Sequence, residues 1–172
     1  MSSTRLVSVD DAPSLAERLR ENRDFLAPWV PARTDDFFTV ATQRDLLEKA
    51  LSAHSDGTML PLAILDGAGA LVGRIDISGI TRGAFQSGSV GYWVSESHNG
   101  RGIATEAVSE TKEIAFTELG LHRLQAETLA HNTASQRVLR RNGFIPYGIA
   151  PQYLRIAGEW QEHILYQALN GE

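Results

Sequence analysis

Two glycines placed just before a predicted helix are the residues whose type and spacing most directly suggest chemistry. A strand-like run, residues 89–94, leads into residues 99–104, which hold Gly100 and Gly102, and an apolar stripe typical of a helix follows. The free N–H groups and the dipole of a first helical turn favour an anion, and glycine lets the backbone approach it without an obstructing Cβ. An ordinary turn could contain the same glycines, so both interpretations stay open.

A second segment, residues 131–144, has an asparagine at a predicted strand-to-helix junction. Asn132 precedes the helix, Ser135 follows three residues later, and Gly143 and Phe144 end the segment. One interpretation is that Asn132 caps the helix and that Ser135 lies on its surface. Together with the glycine loop, however, the pattern resembles the GNAT acetyltransferase superfamily, and specifically its RimJ/RimL branch.

The resemblance covers nearly the whole chain in the right order. It includes the strand G-Y-W-V at 91–94, the loop at 99–104 followed by Thr-Glu-Ala, the substrate loop at 21–29 and the last hairpin at 158–166. It implies a twisted mixed sheet that is split between its fourth and fifth strands, with acetyl-CoA in the cleft. The pantetheine arm would pair with backbone groups of the fourth strand, and the pyrophosphate would bind the amides of the glycine loop.

The resemblance also implies a set of site residues. Asn132 would hold the pantetheine, and Arg137 or Arg141 would reach the nucleotide phosphate. The predicted cofactor-binding residues are Tyr92, Trp93, Val94, Asn99, Gly100, Arg101, Gly102, Ile103, Ala104, Thr105, Asn132, Ser135, Arg137 and Arg141. Aromatic residues that could line the acceptor pocket, or simply pack in the core, are Phe25, Trp29, Tyr153 and Tyr147.

The reaction implied is attack of a neutral primary amine on the thioester, and a protein N-terminus is the expected acceptor because its pKa is about 8. Ser89 and Leu154 stand where relatives can have a glutamate base. The remaining base candidates, each with a structural alternative, are Glu106, Glu127, His131 and Glu162. We predict Ser135 and Glu106 as catalytic, with Ser135 protonating or binding the departing thiolate. The alternatives are acetylation of a small-molecule amine or antibiotic, a non-catalytic CoA-binding module, and an interaction protein that uses only the fold.

The elements that must position these residues are predicted from hydrophobic periodicity. Helices are expected at residues 11–23, 39–54, 102–119 and 133–142. Strands are expected at residues 59–65, 71–80, 90–94, 123–129, 144–153 and 160–169. The predicted order is βααβββαβαββ, which indicates a mixed α/β fold with a central sheet and flanking helices in a single domain over residues 1–172.

Composition excludes several classes of protein. The 172 residues include no cysteine, which removes disulfides, thiolate metal sites and a cysteine nucleophile, and no metal site is predicted. A net charge of −5 argues against a nucleic-acid partner and is compatible with a cationic amine acceptor. No apolar run is long enough to span a membrane and no export signal is recognised, so we expect a cytoplasmic protein without a membrane partner. Members of the branch are often dimers, which leaves a homodimer open.

Overall fold

The computed structural model describes residues 3–171, which form one mixed sheet with helices on both faces. The strands are β1 Thr4–Leu6, β2 Leu60–Leu65, β3 Leu71–Thr81, β4 Ser87–Val94, β5 Arg123–Leu129, β6 Ile145–Ile156 and β7 Glu159–Leu169. The α-helices are α1 Ala12–Glu21, α2 Arg23–Leu26, α3 Val40–Ser55, α4 Ile103–Thr117 and α5 Thr133–Arg141. No helix in this described part is long and apolar enough to cross a membrane. Residues 1, 2 and 172 of the predicted domain lie outside the described residues.

The predicted fold class and element order are confirmed, with one addition. The short helix α2 lies between the two predicted N-terminal helices. Strand β4 begins at Ser87, three residues before the predicted start, because the polar residues Ser87 and Ser89 still pair with β3. Strand β6 continues to Ile156, beyond the predicted end at residue 153.

The sheet order is β1-β2-β3-β4-β5-β7-β6, and only β4 and β5 are paired in parallel among the described strands. Their pairing stops after Ser89, which lies opposite Gln125. Beyond this point both strands continue, but a cleft separates them. The split that the resemblance implied between the fourth and fifth strands is therefore present. Gly88 is closely packed where β4 and β5 are still paired, since a Cβ there would lie 2.7 Å from the Ile77 side chain.

Each face of the sheet packs against its own helices. The core on the α4 and α5 face includes Val90, Val94 and Phe144, and the half-buried Tyr92 packs against it. The core on the α1 and α3 face receives Trp93. This division follows from the strand period of two, which sends neighbouring side chains of β4 to opposite faces.

Asn22, at the junction of α1 and α2, holds the chain that leaves β4. Its amide nitrogen donates to the Arg18 carbonyl at 2.8 Å and to the Ser95 hydroxyl at 3.2 Å. Its side-chain oxygen accepts from the Glu96 amide at 2.8 Å. Asn22 is only 5% exposed, so these partners are not replaced by bulk water. One side chain thus fixes the start of the glycine loop relative to the N-terminal helices.

We expect Asn22→Ala to lower the free energy of unfolding by about 2 kcal/mol, because it leaves buried polar groups without partners. The melting temperature should fall by roughly 4–8 °C for a domain of this size. Urea and thermal unfolding measure both quantities. Asn99→Ala, at an exposed position, should change the free energy of unfolding by less than about 0.5 kcal/mol. Equal stability of the two variants would contradict the anchoring role of Asn22.

Candidate functional site

Strand β4 presents an unpaired backbone edge to a cleft of about 760 Å³ between β4 and β5. The Ser95 amide donates to the Val72 carbonyl at 2.8 Å, so these two residues form a hydrogen-bonded antiparallel pair. Such pairs alternate along a ladder with pairs that do not exchange hydrogen bonds. The N–H and C=O groups of Tyr92 and Val94 therefore point away from β3 and toward the cleft. They can bond an extended ligand as a further strand would.

The loop after β4 leaves the first turn of α4 open. Gly100 and Gly102 have φ values of 74° and 83°, a region that is costly for residues with a Cβ. Gly102 caps α4 without a side-chain hydrogen bond, and the Glu106 amide is bonded to the Gly102 carbonyl at 3.0 Å. The amides of Ile103, Ala104 and Thr105 precede that bond and have no acceptor within the helix. The positive end of the α4 dipole thus borders the cleft, as an anion site requires.

A hydrogen bond across the cleft joins β4 to α5. The Tyr92 hydroxyl lies 2.9 Å from the Ser135 hydroxyl. Burial raises the pKa of Tyr92 to about 12, although the bond from Ser135 acts in the opposite direction. The phenol is therefore protonated at neutral pH and can donate to the Ser135 oxygen. Asn132 accepts from the Ser135 amide at 3.1 Å, so its predicted capping role is confirmed, while Ser135 lines the cleft.

Cationic side chains lie along the wall of the cleft that α5 forms. Arg137 and Arg141 are exposed and line the cleft. Arg101 is exposed as well, but it is not among the lining residues. Guanidinium groups beside an open helix N-terminus favour a ligand with several phosphates.

Glu127 on β5 brings a carboxylate to the cleft. The Ser89 hydroxyl donates to Glu127 Oε2 at 3.0 Å. Because Ser89 pairs with Gln125 in a parallel register, Glu127 stands on the same face and level with Gly91. A Cβ at Gly91 would meet no atom within 4 Å, so the carboxylate borders open space. A side chain of the neighbouring strand therefore places a carboxylate beside Ser89, where relatives can have glutamate.

Aromatic rings surround this part of the cleft. Phe25 and Trp29 line it, and the Trp29 ring lies 5.4 Å from the exposed His131 ring. The Tyr153 ring lies 5.5 Å from the His163 ring. Burial and the charges of Glu127 and Tyr147 raise the pKa of Tyr153. These side chains can enclose an acceptor next to Glu127.

Sequence reasoning missed His163, which is 3% exposed and lines the cleft. Its Nδ1 lies 3.0 Å from the Gln161 carbonyl. Since a carbonyl only accepts, Nδ1 carries the hydrogen and Nε2 is the basic nitrogen of the neutral ring. His163 lies opposite Leu129 in the β5–β7 ladder, on the Glu127 face. Alternation along β7 puts His163 on the face opposite to that of the buried Tyr166, so the sequence pattern carried no signal for its burial.

The structure brings most of the predicted site residues together. Every predicted cofactor-binding residue except Arg101 lines the cleft, as do Phe25 and Trp29, whereas the predicted substrate-binding residue Tyr153 does not. Glu106 does not line the cleft. Ile103 and Ala107 of α4 pack in the core, whereas Glu106 is exposed. Glu162 is exposed and outside the lining, whereas Leu154 is part of it.

Comparison with known proteins agrees with this geometry. A sequence model of the family described as "Acetyltransferase (GNAT) domain" matches residues 4–145. The chain is 35% identical over 167 residues to the Bacillus subtilis (strain 168) protein named Probable N-acetyltransferase YjcK, covering 96% of this chain and 92% of that protein. It is 31% identical over 162 residues to the ribosomal protein uS5-alanine N-acetyltransferase of Escherichia coli (strain K12), covering 94% and 84%. The solved structure of Mycobacterium smegmatis RimJ in complex with CoA-disulfide matches with a TM-score of 0.93 and 32% identity, covering 96% of this chain and 80% of that chain.

We expect Tyr92 to couple folding to pH in the alkaline range. Its pKa in the folded protein is about 12, against about 10 in an unfolded chain. The stabilisation from the neutral buried phenol is complete below about pH 10 and is lost as the pH rises toward the folded-state pKa. Across that interval, Tyr92→Phe should lose less free energy of unfolding than the wild type, by an amount on the order of 2 kcal/mol.

Denaturant unfolding at several pH values measures this difference. Below about pH 9 the two proteins should change in parallel, because the phenol is neutral in both the folded and the unfolded state. A parallel course that continued to pH 12 would show that Tyr92 has an ordinary pKa.

Proposed function

Because the chain belongs to the GNAT acetyltransferase family, we propose that it transfers the acetyl group of acetyl-CoA to the N-terminal α-amine of a protein. The observation that carries the proposal is the cleft between β4 and β5, which joins an open helix N-terminus to the Glu127 carboxylate. The name of the Escherichia coli relative specifies an alanine of a ribosomal protein, which supports a protein acceptor.

The residues present fit acetyl-CoA. The open backbone groups of Tyr92 and Val94 bind the amides of the pantetheine arm. The amides of the first turn of α4 bind the pyrophosphate, and Arg137 or Arg141 binds the nucleotide phosphate. Glycine at positions 100 and 102 keeps this surface free of side chains. Acetyl-CoA supplies the activated acetyl group as its thioester.

Glu127 acts as the base that the sequence comparison with relatives did not locate. The amine nitrogen forms a bond to the acetyl carbonyl carbon, the carbon–sulfur bond breaks, and the proton lost by nitrogen passes to Glu127. Ser89 holds the carboxylate through its hydroxyl. Ser135, which is hydrogen-bonded to the protonated Tyr92 phenol, would hold the departing thiolate through a hydrogen bond, and the thiolate takes a proton from solvent to leave as the thiol. An N-terminal amine suits this arrangement because, with a pKa of about 8, it has an appreciable neutral fraction at pH 7.

Two alternatives remain to be separated from this proposal. A small-molecule amine would use the same cleft and the same base. A non-catalytic CoA-binding module was suggested by Ser89 and Leu154 at the expected glutamate positions, and the Glu127 carboxylate weakens that reason. The acceptor assay below distinguishes all three.

The proposal is tested by following thiol release from acetyl-CoA with short peptides that carry a free N-terminal alanine or serine. We expect release with these peptides and an acetyl group on the α-nitrogen by mass spectrometry. Peptides with a blocked N-terminus should give no release. Tight CoA binding without turnover on any amine would exclude the enzyme, and turnover confined to small amines would exclude a protein acceptor.

A pair of nearly isosteric variants, compared by their affinity for CoA, tests the cofactor site. Gly102→Asn and Gly102→Asp impose similar backbone strain at φ 83°, but only aspartate adds a negative charge to the proposed pyrophosphate site. Calorimetry should show weaker CoA binding for Gly102→Asp than for Gly102→Asn, by about tenfold. Gly69→Asp, at φ 82° in the β2–β3 turn, is the matched control and should bind CoA like the wild type. Equal CoA affinities of the two Gly102 variants would show that the pyrophosphate does not bind at the start of α4.

For the base, we expect Glu127→Gln to lower kcat/KM by about 10²–10³-fold, because glutamine cannot accept the proton. CoA affinity should be unchanged, and raising the pH should restore part of the activity by deprotonating the amine without a base. Glu113→Gln, on an exposed part of α4, is the control and should keep full activity. If Glu106→Gln lowered kcat/KM more than Glu127→Gln, the base would be Glu106, the residue predicted from the sequence.

A further inference from the structure

A second cavity, of about 790 Å³, lies under α1 and α3, on the face of the sheet that does not contact α4 and α5. Its wall is mainly apolar and includes Leu15, Leu19, Phe37, Phe38, Leu46 and Met59. A volume of this size accommodates a ligand rather than a few waters. The mechanism proposed above does not use this space.

The cavity adjoins the acceptor end of the cleft, because Leu26, Val30 and Trp93 line both. Ala157, in the turn between β6 and β7, also lines the cavity, and its amide donates to the Val30 carbonyl at 3.1 Å. The cavity therefore lies next to the place where the residues after the acceptor amine would run.

The charges around the cavity have an excess of cations. Arg74 and Asp76 form an ion pair at 2.9 Å and cancel each other. Arg23 pairs with the exposed Asp35. Arg33 lies over the Phe37 ring at 4.6 Å, and within residues 3–171 neither Arg33 nor Lys49 forms an ion pair. Arg33 and Lys49 are therefore exposed cations that an acidic group of a ligand could bind, although the net charge of the chain is −5.

We propose that this cavity binds the residues that follow the acetylated N-terminus, receiving a bulky apolar side chain and placing an acidic side chain against Arg33 and Lys49. The inference rests on the proposed function. The apolar wall supplies affinity by removing side-chain surface from water, and the two cations select the charge of the neighbouring residue. Glu127 and this cavity thus recognise different parts of one acceptor: the amine and the sequence behind it.

The test compares three peptides with the same free N-terminal alanine. The first has leucine at positions two and three and glutamate at position four; the second replaces the glutamate by lysine; the third replaces the leucines by serine. We expect the first peptide to have a kcat/KM about tenfold above the second and the third. In the double variant Arg33→Glu, Lys49→Glu, the lysine peptide should become the better substrate of the first two.

Arg44→Glu is the matched control, since this exposed cation on α3 lies outside the cavity lining. It should preserve the preference for glutamate over lysine, and acetyl-CoA binding should verify that all variants are folded. Equal kcat/KM values for the three peptides would overturn the inference while leaving N-terminal acetylation intact. Absence of acetylation on every peptide would overturn both. A higher kcat/KM for 8-aminooctanoate than for the peptides would assign the cavity to a small amphipathic amine and also overturn the proposal.

Discussion

The separation of β4 from β5 after three residue pairs is the constraint on which the rest of the molecule depends. The β2–β3, β3–β4 and β5–β7 pairings run along most of their strands, but the β4 edge at Tyr92 and Val94 faces a cleft. Backbone groups shielded from water need hydrogen-bond partners. A ligand that itself contains amides can supply them, so the split can accept an extended amide-bearing molecule.

The parallel direction of β4 and β5 explains why the chemistry gathers at one end of the split. Both strands run toward the same edge of the sheet, so the helices that follow them begin at that edge. Helix α4 presents its open amides there, and α5 presents Asn132 and Ser135. The Tyr92–Ser135 hydrogen bond connects the two walls and fixes their spacing. Sheet topology, helix dipoles and one side-chain bond thus converge on the same site.

Most of the fold and the placement of the glycine loop at the start of α4 could be predicted because their signals are local in the sequence. Each main helix and strand buries one face, and the glycine loop lies within a few residues of α4. The beginning of β4 was misplaced because Ser87 is buried by strand pairing and not by hydrophobic character. Glu127 and His163 depend on the registers of β4, β5 and β7, and β6 contains irregularities that alternation alone does not reveal.

The hydrogen bond between Ser89 and Glu127 shows that two neighbouring strands can each supply a carboxylate to the same point of a cleft. Neighbouring strands in register place their side chains side by side on one face, so either strand can supply the acid at nearly the same point. Here the 38-residue separation between the two partners hides the exchange from a single sequence. A serine at the expected glutamate position is therefore poor grounds for inferring lost catalysis, since that serine holds a carboxylate from the neighbouring strand.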